Sequence, residues 1–597
     1  MVVPYGKLVD GGEAGEDGAS DKRDDGQPGG GGAAGVHDEE GGYAVCSPDE
    51  PAGEGEGEGE RHALCAGGGG DVGRADDDGW ARRWGAELRH LSCLAAPVVI
   101  QMATQQGMVV TDQVMVGHLG AEELAAAALG NTWFNFWFYF LMGVSTALDT
   151  LCSQAHGAND MRAFWKAVGS SMLILNTLAV IMGVAMWFAG DVVQHLFMQP
   201  EPVAKASGTF CRWLIPGLWP LMCGLVGTKV LQTRSIMMPS AVIGVITFLA
   251  NIAFNWWFIR VLGFPGSPLA TTTSRVMQMV LTGAYIFYDS RKTGTGLDGP
   301  LSPVLLDGLS PGALRLFLGL GLPGGFMMGM EASSFDITTA LAGRLGTVAV
   351  DAHTILMSVI AFMFLAFPFG MSIAATVRVG SLLGAGDHRT ARISGHLTFL
   401  SCAAFMTLAS MLLYVFRDDV GALFVDDPEV QAVVADLAPI VVPAQVFDGL
   451  NGAGQGVLRG MGKQNLILLI NVVGFWGCGL VPGYIMTFNL GLGLHGLWYG
   501  IAGACSVAGL LSLAYFLRTD MQKHAAHAAD RVKALGSPSD MGDSADGVGS
   551  GHDDSDGDSS NKRGRQVSAV SSYVGAAVSG EQGEEEEDDM EMSLVRR

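Results

Sequence analysis

Four carboxylates stand in stretches of this chain that would otherwise dissolve in hydrocarbon. Glu331 and Asp336 lie in "MEASSFD" (330–336), Asp448 in "VFDGLNGAGQGVLRG" (446–460) and Asp112 in "VVTDQVMVGHLG" (109–120). A charged side chain at the centre of a bilayer costs about 2.5 kcal/mol or more even on lenient insertion scales, so intramembrane acids point to ion or substrate pathways. Ionised, such acids bind cations; in a poorly solvated site they can take up protons instead. Glu331 and Asp336 are five residues apart, roughly 140° around a helix, so they share one cavity only if it is wide or the helix bends. The Pro323-Gly324-Gly325 break permits such a bend. Polar companions fit a cavity lining: Gln101, Gln105 and Gln106, Asn131 and Asn135, Asn255, and Asn451 and Gln455 beside Asp448. The plainer alternative is that each acid pairs with Arg212 or Arg275, or hydrogen-bonds another helix, for structural reasons only.

The elements that position these residues are apolar runs. A span of about 30 Å of hydrocarbon needs roughly 20 residues. Runs of that length occur near 91–116, 124–149, 165–189, 208–231, 237–259 and 268–288, and again near 313–342, 348–376, 393–416, 435–458, 464–488 and 494–517. Lipid cannot satisfy backbone polar groups, so each must be a helix. Twelve is even, which puts both ends of the chain on one side. Sixteen Lys and Arg, among them Arg162, Lys229, Arg234, Arg378 and Arg459, fall in one set of loops, against Lys205, Arg260, Arg344 and Arg417 in the other. Positive loops stay inside, so both termini are expected to be cytoplasmic. No Lys or Arg is expected inside the spans of the second half.

The formal charge of −24 belongs to the ends: residues 1–90 carry about −13 and residues 519–597 about −9. Both are Gly-, Ser- and acid-rich and too poor in apolar residues to bury a core, which predicts disordered tails. Nucleic-acid binding is disfavoured by this balance. The nine cysteines show no metal or disulfide spacing, and no cleaved signal peptide is visible, so the first span is expected to serve as the insertion signal.

The halves repeat. "GHLG" (117–120) returns as "GRLG" (343–346), and "LFMQPEPV" (196–203) as "LFVDDPEV" (423–430). Pro216 and Pro443, and "VLQ" (230–232) and "VLR" (457–459), keep an offset of 227. The expected fold is therefore an all-α membrane protein of twelve transmembrane helices, in two parallel-repeat six-helix bundles around a central cavity. Its parts are a tail (1–90), a first lobe (91–290), a linker (291–312), a second lobe (313–517) and a tail (518–597).

These motifs together resemble the multidrug and toxic compound extrusion (MATE) family over essentially the whole of 91–517. "TALDTLCSQAHGA" (146–158), "MEASSFD", "ATVRVGSLLGAGD" (375–387) and "FDGLNGAGQGVLRGMGKQN" (447–465) carry the likeness. It implies a secondary antiporter that exports organic cations, xenobiotics or amphipathic metabolites against protons, or against sodium ions in some members. It also implies that Glu331 and Asp448 are the exchanging acids, with Asp336 as the second acid of the seventh helix and Asp112 as an acid found mainly in bacterial members. The expected substrate and proton site is thus Glu331, Asp336, Asp448, Asp112, Gln105, Asn135, Asn451 and Gln455. Departures from the family pattern are Ser358, and Ala332-Ser333 in place of an aromatic pair. There is no Walker-type loop or metal-ligand cluster, so no cofactor, resident metal or enzymatic activity is expected. A monomer in the plasma membrane or the vacuolar membrane is expected. A transport-inactive receptor or scaffold is the rival from another class.

Overall fold

The computed structural model describes residues 76–294 and 303–536. Every regular element among them is a helix. The first six long segments are α1 (Asp76–Gly117), α2 (Ala121–Gly157), α3 (Met161–Trp187), α4 (Glu201–Thr233), α5 (Met238–Leu262) and α6 (Gly266–Thr293). The next six are α7 (Pro311–Gly343), α8 (Thr347–Gly384), α9 (His388–Val415), α10 (Pro428–Met461), α11 (Gln464–Asn489) and α12 (Leu494–Arg518). A last helix, α13 (Met521–Gly536), follows. Ten of these segments are long and apolar enough to cross a membrane. The other two at expected span positions, α2 and α6, are 37 and 28 residues long.

The repeat is visible in the backbone. After α2 the chain turns through a left-handed residue, Asn159 (φ 56°), and the Asp160 side chain caps α3 by accepting from Ala163 N at 2.9 Å. After α8 the same turn uses Gly386 (φ 79°), and Asp387 caps α9 by accepting from Thr390 N at 3.0 Å. Such caps satisfy amide groups that a helix start leaves without partners. Ser235 (φ 61°) and Gly462 (φ 77°) form a second matched pair of turns.

Helix regularity departs from the sequence expectation in two places. α7 runs unbroken through Pro323. Gly324 serves close packing there: a Cβ on it would lie 2.5 Å from the Gly143 carbonyl oxygen of α2. α8 instead breaks at Phe367 (φ −146°, ψ −52°), because the ring of Pro368 disfavours helical backbone in the residue before it.

Glu87 near the start of α1 bonds Arg378 near the end of α8, and Arg531 of α13 bonds Gln154 near the end of α2, where α2 and α8 meet closely at Gly157 and Ser381, so both described chain ends share one face, the terminal face. Lipid supplies little drive for helix association, and close packing of small residues replaces it. On the terminal face, a Cβ at Gly157 would sit 1.9 Å from Ser381 O, and one at Gly384 would sit 2.1 Å from Gln154 O. Hydrogen bonds cross the same junction. Thr150 Oγ1 donates to Arg459 O (2.7 Å), Gln154 Nε2 to Gly460 O (3.0 Å) and Gln464 Nε2 to Thr150 Oγ1 (2.7 Å). Arg378 of α8 grips Glu87 of α1 through Nε (2.7 Å) and Nη2 (2.8 Å), and the Ser394 hydroxyl donates to the same carboxylate. Gly157→Ala is expected to weaken this junction by about 1–3 kcal/mol, as overpacking does. Gly319→Ala, whose Cβ would meet nothing within 4 Å, should leave thermal melting unchanged, and the two melting curves side by side check the claim.

The structure alters two further expectations. Lys229, Arg378 and Arg459, assigned to loops, lie inside α4, α8 and α10, and Arg315 lies inside α7, so the second half does carry cations within its helices. Regular structure also reaches into both tail segments, at residues 76–90 and 521–536. The disorder expected for the remainder of the tails falls outside the described residues.

Candidate functional site

Glu331 projects from α7 towards α10 and α11. Asp448, Asn451 and Gln455 follow one another on α10 at three- and four-residue steps, which stacks them on one face. Gln455 Nε2 donates to both Glu331 oxygens, at 2.9 and 3.2 Å, and Asn471 Nδ2 of α11 donates to Oε2 at 2.9 Å. Asn471 is the last residue before a π-helical stretch, Val472–Leu480. Such stretches recur at functional positions because the wider turn re-aims side chains. In this one, Trp476 Nε1 donates to the Met330 carbonyl at 3.0 Å, and Phe475 meets Phe335 edge-on at 5.6 Å. The π turn therefore grips α7 on both sides of Glu331.

Asp448 is half-buried and faces the Cys505 thiol of α12, which donates to Oδ1 at 3.8 Å. Asp448 and Glu331 lie close enough to act on each other electrostatically. Asn451 between them is fully buried, and its amide has no hydrogen-bond partner among the described residues. Below this group, towards the terminal face, lies a buried ionic cluster. Lys229 Nζ of α4 meets Asp149 Oδ2 of α2 at 2.5 Å, with side chains only 10% and 5% exposed. Arg459 of α10 acts electrostatically on both Asp149 and Glu331.

The eight expected site residues thus separate. Glu331, Asp448, Asn451 and Gln455 come together. Asp336 does not join them: it is exposed, and its electrostatic neighbour is the Tyr139 hydroxyl of α2. The 140° separation around α7 is the reason. Asp112 belongs to a second cluster, in the first half. It accepts from Asn255 Nδ2 at 2.7 Å and Thr271 Oγ1 at 2.6 Å, while Asn251 Nδ2 donates to Ser274 Oγ at 3.3 Å. Arg275 stands 4.7 Å over the Phe134 ring beside it. Gln105 and Asn135 are half-buried and join the hydrogen bonds of neither cluster.

Sequence reasoning missed Asn471, Cys505 and the Asp149–Lys229 pair. A lone amide in the apolar run "LILLINVVGFW" (466–476) is the signal that could have found Asn471. Asp149 lay at the end of an apolar run, where a carboxylate costs little and draws no notice.

Comparison with known proteins bears on both halves. The MatE family model matches residues 97–257 and 323–485. Over 453 residues the chain is 28% identical to Protein DETOXIFICATION 37 of Arabidopsis thaliana, covering 75% of this chain and 88% of that protein. It is 31% identical to Multidrug and toxin extrusion protein 1 of Homo sapiens over 440 residues, 73% of this chain and 76% of that one. The fold is similar to that of the crystal structure of the eukaryotic MATE transporter AtDTX14, with a TM-score of 0.69 at 24% identity, over 75% of this chain and 100% of that one.

Proposed function

Because the chain belongs to the MatE family and is an integral, multi-pass membrane transporter of small molecules, we propose that it is a secondary antiporter that exchanges organic cations for protons at Glu331 and Asp448. The observation that carries this reading is the pair itself. Two carboxylates lie on α7 and α10 within electrostatic reach of each other, Glu331 held by amide donors from Gln455 and Asn471 and Asp448 met by the Cys505 thiol. Ionised, the pair attracts a cation. Protonated, it loses the charge that retained one, so proton and substrate exclude each other. Exchange then needs only that the site open to one side at a time.

In this reading all twelve long segments span the membrane, and the basic terminal face is cytoplasmic. The hydrogen-bonded junction at Thr150, Gln154 and Glu87 closes the cytoplasmic side, and the acids face outward. Protons arriving from outside neutralise Glu331 and Asp448 and release the substrate. The halves then rock, the protons depart inward, and the recovered charge takes the next cation. The substrates are organic cations, xenobiotics among them, and the chain acts as a monomer in the plasma or vacuolar membrane.

A second reading rests on the Asp112 cluster, whose carboxylate, amide and hydroxyl oxygens suit a hard cation. The Asn255 Oδ1 atom there is buried and has no hydrogen-bond partner among the described residues. Sodium coupling through Asp112 follows from that arrangement. The two readings part in proteoliposomes holding the full chain, with a panel of quaternary and aromatic ammonium ions and pH and sodium gradients imposed separately. Movement driven by the pH gradient alone is expected. Movement driven by sodium alone transfers coupling to Asp112, and movement under neither gradient overturns the antiport reading.

A further inference from the structure

Antiport of this kind requires the two halves to part on the terminal face, and α13 stands across that movement. Its buried residues, Met521, His524, Ala528, Val532 and Leu535, recur at three- and four-residue steps, the signature of one buried stripe. The stripe is divided between two cores. Met521 and Ala528 belong to the buried core that holds Leu397 and Phe399 of the second half. Val532 and Leu535 belong to the buried core that holds Phe164 and Leu151 of the first half.

Arg531 repeats that division in hydrogen bonds. Nε donates to Gln154 Oε1 of α2 at 3.0 Å, and Nη2 donates to the Met461 carbonyl at the end of α10 at 2.9 Å. By engaging Oε1 it turns the Gln154 amide nitrogen towards Gly460 O across the junction. Burial draws the guanidinium down to about 10, which leaves it charged at neutral pH. At the far end of α13, a Cβ on Gly536 would stand 2.6 Å from Asp160 Oδ2, at the start of α3. The near end is tied covalently to α12 through Thr519 and Asp520. A helix of 16 residues, about 24 Å long, therefore runs from the second half to the first, tied covalently to α12 at its near end and held against the first half by Arg531 and by packing.

We propose that α13 is a releasable strap: it clamps the terminal face shut, with Arg531 as its pin, and its Val532–Gly536 end leaves the first half each time that face opens. This rests on the antiport reading above. The test uses the full chain in nanodiscs and proteoliposomes, with Cys46, Cys65 and the exposed Cys93 replaced by serine. The pair Asp160→Cys and Gly536→Cys joins the far end of α13 to α3. Oxidation of that pair is expected to lower transport at least tenfold, with recovery on reduction, the reduced form serving as control for the lost Asp160 cap. Undiminished transport with the disulfide formed overturns the strap.

Hydrogen exchange supplies a readout that needs no substrate. Arg531→Ala is expected to speed amide exchange across 150–160 and 458–464 about tenfold, consistent with loss of two charge-assisted bonds. Arg531→Lys should rescue this only in part, because an ammonium lacks the two-armed fork. If α13 alone exchanges faster while those two segments keep wild-type rates, the helix is an ornament on the fold and the proposal fails. A wild-type chain that transports nothing would sink the antiport reading and leave the exchange result to stand separately.

Discussion

Glu331→Gln is expected to lower pH-driven transport about 30-fold or more while the protein stays folded. The substitution keeps shape and hydrogen-bonding capacity but removes the charge. Truncating one partner of a desolvated charge pair costs about 2–5 kcal/mol, and each 1.4 kcal/mol is about tenfold. Folding should change by no more than about 1 kcal/mol, since the new amide carbonyl can still accept from Gln455 or Asn471 and an amide is cheaper to bury than a carboxylate. Asp448→Asn is expected to behave alike. Asp336→Asn, whose carboxylate is exposed and outside the Gln455 and Asn471 hydrogen bonds, should stay within about threefold of wild type. Initial rates in proteoliposomes, alongside thermal melting of the same preparations, decide the matter. Equal losses at all three acids would restore the single shared site expected from sequence.

Asp149→Asn is expected to produce the largest loss of stability, about 3–5 kcal/mol, the range for breaking a buried ion pair. Asp149 is bonded to Lys229 at 2.5 Å and acts electrostatically on Arg459, so its neutralisation leaves two buried cations without their main counter-charge. Lys229→Met added to Asp149→Asn should recover most of the loss, because the double variant no longer buries the unpaired ammonium. A double-mutant cycle on melting in detergent measures the coupling directly. A silent Asp149→Asn would mean that water reaches the cluster and screens it. Since Arg459 links this cluster electrostatically to Glu331, the same variants should also alter transport, and the comparison shows whether the ionic cluster serves folding alone.

What the sequence determined by itself follows from the solvent it is written for. Lipid cannot hydrogen-bond a peptide group, so a long apolar run can only be a helix, and the positions of the runs set the order of elements. Duplication was legible in short motifs that recur at one offset, Pro216 with Pro443 and "VLQ" with "VLR", and the structure adds that Asn159 with Asp160, and Gly386 with Asp387, meet the same backbone need 227 residues apart. The candidate groups were legible by type, since a carboxylate within an apolar run is costly, and the structure brings Glu331, Asp448, Asn451 and Gln455 together while Asp112 and Asp336 lie elsewhere.

Tertiary structure alone decided which partners those groups have. Hydropathy marks where lipid begins, but helices continue past that boundary. Arg459, one residue past its apolar run, therefore reads as a loop cation, although neighbouring helices enclose it and supply Asp149. Asp336 and Glu331 are neighbours in sequence, yet helix rotation turns one towards α2 and the other towards α10 and α11. α13 followed the same rule in reverse. Its residues are rich in Ala and carry more Lys and Arg than acids, with too few apolar side chains to mark a span, and only the junction where the two halves meet gives its sparse apolar stripe something to bury against.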